Sequence, residues 1–482
     1  MKKNILWYAV ALMTAFVGVS CSNEDDFSEV PTPKPSEEVA ENIVTFTATL
    51  DTKGGSGMRA VSASGVTTWV ANEEILISYK NTSNVSQEAK ATVESVDANG
   101  KATITASLVD PKDESEVYFY YPYESWKSTS AIDFASGQDG SLSKLSQYFD
   151  YAVDDSFITF VPYTLSVSGG VATLPSSINM VNYYLIWKLS FTDGTNDITS
   201  NITKLEIHAS AGGTTDYTIT PTAPITDYFY VVMGDLLNDD IVITAHTSSG
   251  IYRIAKSGIT LEMGKIYTTT GLALTKIEVG KVFGADGNIY TNSTTATAAG
   301  TSAVAMICYV GSGAETNTTF NHGLALALTE AGTGATWCSQ TSAFCLGTHY
   351  DSYQTNDMAG IANTDALVGN GSHTHAAASM ARNYNSGTHP TGTSAWFLPS
   401  AGQWDQMFNA CKNVLGTRDS NLDLLYGFGN VGGTNLQRYG SYWSSTELYT
   451  GRAWGYNFGT GNWFQGNKAN ENSYYVRSAL AF

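Results

Sequence analysis

The chain is poor in the residues on which nucleic-acid-binding proteins and many enzymes depend. Its 25 Lys and Arg stand against 44 Asp and Glu, and a surface so negative repels phosphate backbones and anionic headgroups. Nucleic acid is excluded as a partner on that ground. Cysteine is scarce: five occur in 482 residues, at Cys21, Cys308, Cys338, Cys345 and Cys411. No two are spaced Cys-x-x-Cys, so spacing alone builds no zinc site. A Gly-x-Ser-x-Gly elbow, a Gly-rich phosphate loop and a His-Glu-x-x-His pair are all missing, which removes common signatures of hydrolases, nucleotide users and zinc peptidases. The expectation is a protein that is not an enzyme and carries no cofactor.

Long apolar runs are equally rare. One, Ile5 to Val19, follows Lys2-Lys3, is interrupted by Thr14 and ends at Ser20-Cys21. It is short for a membrane span and reads as a signal peptide over 1–20, with Cys21 as the residue to be lipidated; Gly18 stands where such sites usually carry Leu. Ser22-Asn23-Glu24-Asp25-Asp26 resembles the acidic tag of surface-exposed Bacteroidetes outer-membrane lipoproteins, and a solvated acidic tether would read the same. From Val30 to Glu41 the chain is Pro, Ser, Thr and Glu with little to bury, so 21–42 is expected to be a spacer. The four cysteines beyond it allow three disulfide pairings, among which spacing does not choose.

Between Ile43 and Leu274 short alternating runs recur, such as Val44-Thr45-Phe46-Thr47-Ala48-Thr49-Leu50 and Ile241-Val242-Ile243-Thr244-Ala245, divided by Gly, Asn, Asp and Ser turns. Period-two alternation marks strands buried on one face, and many in succession mark β-sandwiches. The length suits two, and Ser168-Gly169-Gly170 breaks the pattern, so they are expected at 43–165 and 166–275. Three phrases, Trp69-Val70-Ala71-Asn72-Glu73-Glu74-Ile75, Tyr118-Phe119-Tyr120-Tyr121-Pro122-Tyr123 and Leu261-Glu262-Met263-Gly264-Lys265-Ile266-Tyr267, resemble in order and spacing the fimbrillin family of Bacteroidetes pilus subunits and their anchors. The resemblance implies two transthyretin-like Greek-key β-sandwiches and a lipoprotein precursor. In many members it also implies assembly by a donated strand. It makes Arg59 a candidate cleavage point, against the plainer reading of an exposed loop arginine, and leaves open whether the chain polymerises.

From about Val279 the texture changes, with more Gly, Ala, Asn and Trp. Gly280 to Tyr290 reads as a hairpin across Asp286-Gly287, Thr301 to Val310 and His322 to Leu328 as strands, Asp357 to Thr364 as a polar turn, and Ala376 to Tyr384 as a short helix. In Trp396-Phe397-Leu398-Pro399-Ser400-Ala401-Gly402-Gln403-Trp404-Asp405-Gln406-Met407-Phe408, Pro399 forces an extended entry, Ser400 can cap, and Trp404, Met407 and Phe408 share one helical face. This string is similar to the Leu-Pro-Ser/Thr…Glu/Gln-Trp helix entry of C-type-lectin-like domains. The branch is the one shared by formylglycine-generating enzymes and the variable proteins of diversity-generating retroelements. Tyr442-Trp443-Ser444-Ser445-Thr446-Glu447, Ala453-Trp454, Asn457-Phe458, Lys468 and Tyr475 to Phe482 extend the likeness. It implies an α+β C-type-lectin-like ligand-binding domain over 276–482 with a candidate variable region at 442–482. The reactive cysteine pair of the enzymes has no counterpart after Cys411, and the Glu-Pro-Asn and Trp-Asn-Asp strings of calcium lectins are missing.

Four histidines, His349, His373, His375 and His389, fall in one stretch, but no carboxylate or cysteine stands at ligand spacing around them. They are read as loop histidines and no metal is expected. Leu448 to Ser473 is chiefly Gly, Asn, Thr, Ser and Tyr with a few large aromatics, a composition like that of an antibody paratope; a Gly/Asn-rich meander without recognition value would look alike. Candidate ligand-binding residues are Tyr449, Thr450, Gly451, Arg452, Gly455, Tyr456, Gly459, Thr460, Asn462, Trp463, Phe464, Gln465, Asn467, Asn470 and Asn472, with Trp443, Trp454 and Phe458 as scaffold. Retroelement diversification at Asn codons fits most of them, though not Trp463 or Gln465, nor the neighbouring Glu471. The reading is a surface lipoprotein adhesin or receptor for a protein or glycan, anchored in the outer membrane by lipid. A fimbrial tip or anchor subunit in contact with other fimbrial subunits is the alternative, and a surface hydrolase is further off.

Overall fold

Alternation is realised residue by residue in the first strand, Ile43–Leu50, where Val44, Phe46, Ala48 and Leu50 are buried and Ile43, Thr45, Thr47 and Thr49 face solvent. The computed structural model describes residues 42–482 apart from 52–68, 122, 124–134, 143, 145–156, 159–161, 183–184, 210–214, 263–264, 318, 353, 413, 415–426 and 470–473. The expected signal peptide, Cys21, the spacer and Arg59 lie outside the described residues. Among those described, no helix is long and apolar enough to cross a membrane.

The protein is mainly β, with a modest helical contribution in its C-terminal part. In the first sheet Ile43–Leu50 lies between Ala102–Val109, antiparallel, and Val171–Thr173, parallel. Beyond these come Ser86–Val96 and Glu74–Lys80 on one side, and Tyr163–Ser168, Ser115–Tyr121, Phe157–Ile158 and Val181–Asn182 on the other. A further ladder pairs Leu76 with Tyr120, so Glu74–Lys80 and Ser115–Tyr121 close the strand circuit. Trp69 and Tyr121, from phrases far apart in sequence, meet edge to face at 5.6 Å.

Pairing carries this first sheet to Asn182, so the expected division after residue 165 falls inside strand Tyr163–Ser168. Gly169-Gly170 is the turn of a hairpin: both glycines have positive φ, 60° and 79°, and Ser168 pairs with Val171 across them. Two-residue hairpin turns need that conformation, so the break in alternation marks a tight turn inside the first unit.

Leu185–Thr192 joins the first unit to the second. Leu185, Trp187, Leu189 and Phe191 point into the second core, while Ile186, with Tyr230 and Val232, completes the first. Buried on both faces, the strand is apolar at five of its eight positions. The second unit stacks a three-stranded sheet, Phe229–Met233, Leu185–Thr192 and Ile266–Ala273, against five strands in the order Thr215–Ile219, Ile202–Ala209, Leu236–Thr247, Gly250–Leu261 and Thr275–Lys276.

The third unit carries two five-stranded sheets and short helices. One sheet runs Ile289–Tyr290, Val282–Gly284, Ala303–Val310, Gly323–Ala327, Ala479–Ala481; the other runs Gly332–Thr333, Tyr475–Val476, Ser441–Tyr449, Arg452–Asn457, Asn462–Asn467. Helix Ala401–Cys411 starts as its sequence requires: the Ser400 hydroxyl accepts from Gln403 N while the Gln403 side chain accepts from Ser400 N, a capping box, and Trp404, Met407 and Phe408 are buried. The expected polar turn at Asp357 to Thr364 is in part a helix, Gly360–Gly369. Its Gly and Asn content hides it, but the buried Thr364 hydroxyl bonds to Gly360 O at 2.8 Å within the turn.

Candidate functional site

Most of segment 448–473, singled out by its paratope-like composition, is a β-hairpin: Arg452–Asn457 pairs in register with Asn462–Asn467, from Arg452 opposite Asn467 to Asn457 opposite Asn462. Its inward positions are aromatic and glycine rather than aliphatic, so it lacks the usual mark of a core strand. On one face the Phe464 ring lies 6.2 Å from Trp443 and 5.0 Å from Tyr474. Gly455 and Gly466 make room for these rings, since an added Cβ would come within 2.4 Å of Phe464 and 2.3 Å of Trp443 respectively. On the other face Tyr456 packs among Phe408, Phe458 and Trp463 at 4.6, 5.1 and 5.2 Å.

Two expected contact residues are thereby corrected. Tyr456 is 3% exposed and belongs to the core, and Gly455 is a buried packing gap, not a flexible loop position. Trp443, Trp454 and Phe458 are buried, as scaffold residues should be. The surface is left to Tyr449, 42% exposed, with Arg452, Gly459, Thr460, Asn462, Gln465 and Asn467, while Thr450, Gly451, Trp463 and Phe464 are half-buried. Asn470 and Asn472 lie outside the described residues. Of the region 442–482, Tyr442 to Leu448 and Val476 to Phe482 are buried throughout. The exposed positions are well fixed: Arg452 Nη1 donates to Gln465 O at 2.9 Å and Asn462 Nδ2 to Thr460 O at 2.8 Å.

Two neighbours of this surface escape a reading of the segment alone. Phe344 is 45% exposed and stacks on His349 at 4.1 Å, in a loop whose Thr341 carbonyl abuts Gly451. Tyr439, 77% exposed, lies against Gly459 at the hairpin turn. Gln437 to Ser441 with Tyr474 and Tyr475 line a cleft of about 390 Å³. The available signal was an aromatic beside polar residues and glycine in Gln437-Arg438-Tyr439-Gly440, the same chemistry as in the chosen segment.

Beneath the hairpin lies a buried ion pair, Lys468 with Glu447, neither side chain reaching solvent. Glu447 accepts from Cys345 N at 2.8 Å and Leu346 N at 2.7 Å. Lys468 Nζ donates to Thr450 O at 2.8 Å and stands 5.1 Å over the Trp337 ring. A second buried group joins Glu330, Tyr442 and Arg477: Tyr442 donates to Glu330 Oε1 at 2.6 Å, and Arg477 Nη2 donates to Leu328 O at 3.0 Å and Thr434 O at 2.8 Å. Burial pushes the Glu330 carboxyl up, with the Arg477 guanidinium opposing it. Burial and the Glu330 charge hold the Tyr442 hydroxyl well above its ordinary value. Glu447, Lys468, Tyr442 and Arg477 stood in the lectin-like phrases, and their task in the fold is to tie the strands under the hairpin.

Among the described residues, two groups offer metal-ligand chemistry: Cys338, Cys345 and His375, and Glu206, His246 and His322, each set with donor atoms within 4.8 Å of one another. Of the four histidines singled out by sequence, His375 alone joins such a group. In the second group Glu206 Oε2 lies 2.7 Å from His246 Nε2 and 3.0 Å from His322 Nε2, where the second unit meets the third. Beside it, Glu206, His208, Asp216, Arg253 and His322 help line a cavity of about 190 Å³.

No family model and no curated protein matches the chain. Among solved structures, a fimbrial protein from Bacteroides ovatus is 15% identical, with 92% of this chain and all of that one covered, at a TM-score of 0.38. A candidate cell adhesion protein from Parabacteroides distasonis is 10% identical over 50% of this chain and 92% of its own, at 0.28. Another from Bacteroides fragilis is 9% identical over 46% and 88%, at 0.25. At scores this low the likeness transfers neither a shape nor a role to this chain.

Proposed function

We propose that the chain is a binding protein of the cell surface, an adhesin or receptor rather than an enzyme, which takes a protein or glycan on the hairpin face of a C-type-lectin-like third unit. Lipid on Cys21 and the spacer to residue 42 tether it to the outer membrane, and the two β units form the stalk. The observation that carries the reading is the placement of Tyr449, Arg452, Asn462, Gln465 and Asn467 in solvent, at the ends and outer edge of strands whose middle is packed on both faces with aromatic rings. Aromatic and adaptable polar side chains on a rigid support are what protein and glycan recognition uses. Phe344 and Tyr439 extend the same surface at its two ends. Retroelement diversification, if it acts, has its room at these exposed positions.

The test is a glycan array and a host-cell binding assay with the labelled full chain. Changing Tyr449, Arg452 and Gln465 together to Ala should lower binding about tenfold or more with the unfolding midpoint unmoved, as removal of hot-spot residues does. Undiminished binding by this variant removes the hairpin face from the role.

A further inference from the structure

The loop from Cys338 to Cys345 folds back on itself and brings the two sulfurs to 2.8 Å. His375, which precedes helix Ala376–Arg382, completes the group from a third direction. We propose that Cys338, Cys345 and His375 bind a soft divalent cation, zinc by preference, as a structural site that holds whatever the exposed face binds.

The imidazole carries the argument furthest. His375 is 2% exposed, and neither ring nitrogen makes a hydrogen bond of good geometry; the Trp337 backbone offers a weak polar contact and the Trp337 ring meets it edge to face at 6.3 Å. Buried polar atoms nearly always find partners, and a cation gives one nitrogen its bond.

The sulfurs add a second constraint. At 2.8 Å they stand close enough to join in a disulfide or to share one bound ion. A disulfide would draw them to about 2.05 Å and leave His375 as it stands. Zinc with bonds of about 2.3 Å to each sulfur at tetrahedral angles sets them about 3.8 Å apart and engages all three side chains, its fourth position being taken by a water. Cys338 Sγ also accepts a hydrogen bond from Gln340 N at 3.2 Å, which orients the sulfur.

Charge closes without further groups: a bound cation displaces the protons of the two thiols. The two protons pass to solvent and the two thiolates match the ion's charge. Lys468 Nζ stands 3.9 Å from Cys345 Sγ and stays balanced by Glu447. Trp337 N and Cys338 N both donate to Lys468 O, at 2.9 and 3.2 Å, so the ion would brace the loop bearing Phe344 against the end of the hairpin.

The full chain, purified under a thiol reductant, loaded with zinc and dialysed into metal-free buffer, should retain zinc in equimolar amount. Cobalt(II) in its place should give sulfur-to-metal charge-transfer absorbance in the near ultraviolet and tetrahedral bands in the visible. Cys345→Ser and His375→Gln should each weaken zinc retention about tenfold or more against a chromophoric chelator, and His349→Gln should not. The cobalt spectrum of the unaltered chain decides the matter even where a variant does not fold. Failure to retain the ion overturns the proposal, with peptide mapping under non-reducing conditions showing whether a Cys338–Cys345 disulfide stands instead; equal retention by His375→Gln overturns it too.

Discussion

Tyr449 and Tyr456 are the same residue type in the same Gly- and Asn-rich stretch, yet one stands in water and the other among Phe408, Phe458 and Trp463. Composition singles out the stretch but not the register within it, because register is set by how Arg452–Asn457 pairs with Ser441–Tyr449 and Asn462–Asn467, which residue content does not specify. Tyr456→Ala should therefore cost about 3–5 kcal/mol in urea denaturation, as deletion of a buried ring does. Tyr449→Ala should stay within about 0.5 kcal/mol of the parent; equal losses would mean that the strand faces are misassigned. Gly466→Ala should cost about 1–3 kcal/mol, the range for overpacking, because the new methyl meets the Trp443 ring. A neutral result there would show that the ring can yield.

At the level of elements, local rules suffice where the deciding contacts are local. Pro399, Ser400 and Gln403 announce helix Ala401–Cys411, and its capping box forms as written; the Asp286-Gly287 turn likewise brings Phe283 opposite Ile289. Helix Gly360–Gly369 has no such announcement, and its Thr364 hydroxyl is engaged both by Gly360 O and by Leu398 N, the latter at 3.0 Å and far away in sequence. Glu447 and Lys468 were visible as motif letters, but their burial against each other was not, since nothing local pairs them. Removing one partner of a buried ion pair leaves an uncompensated charge, so Lys468→Met should cost about 3–5 kcal/mol, and adding Glu447→Gln should restore part of the loss. Chemical denaturation of the two variants side by side checks this, and a double variant no better than the single one counts against the pairing.

Across the whole molecule, the described chain from Asn42 to Phe482 forms one compact unit. Ile186 serves the first core while its neighbours serve the second. Buried Arg253 of the second unit donates to Thr391 O at 2.5 Å and Gly392 O at 3.2 Å in the third. Glu206 adds an acid-sensitive link: burial pushes its carboxyl up, but hydrogen bonds from His246 and His322, with Lys204, outweigh this and hold it far below its ordinary 4.5. A depressed carboxylate contributes its full stability above the unfolded value of 4.5 and loses it as pH falls from there through the folded value. Glu206→Gln should therefore be less stable than the parent near neutrality and decline less steeply below pH ~4.5 in urea midpoints measured across that range. Parallel decline of the two proteins would place the acid-labile group elsewhere.

The packing of the hairpin bears on how such a protein can change over generations. Gly455, Gly466, Phe464 and Tyr456 hold the two strands in place, while Tyr449, Arg452, Asn462, Gln465 and Asn467 stand in solvent at the strand ends and along the outer edge. Substitutions can accumulate at the outward set without disturbing the inward one, so new specificities are reachable by steps that each keep the protein folded. Lineages could diverge in what they bind while their aromatic foundation stays the same.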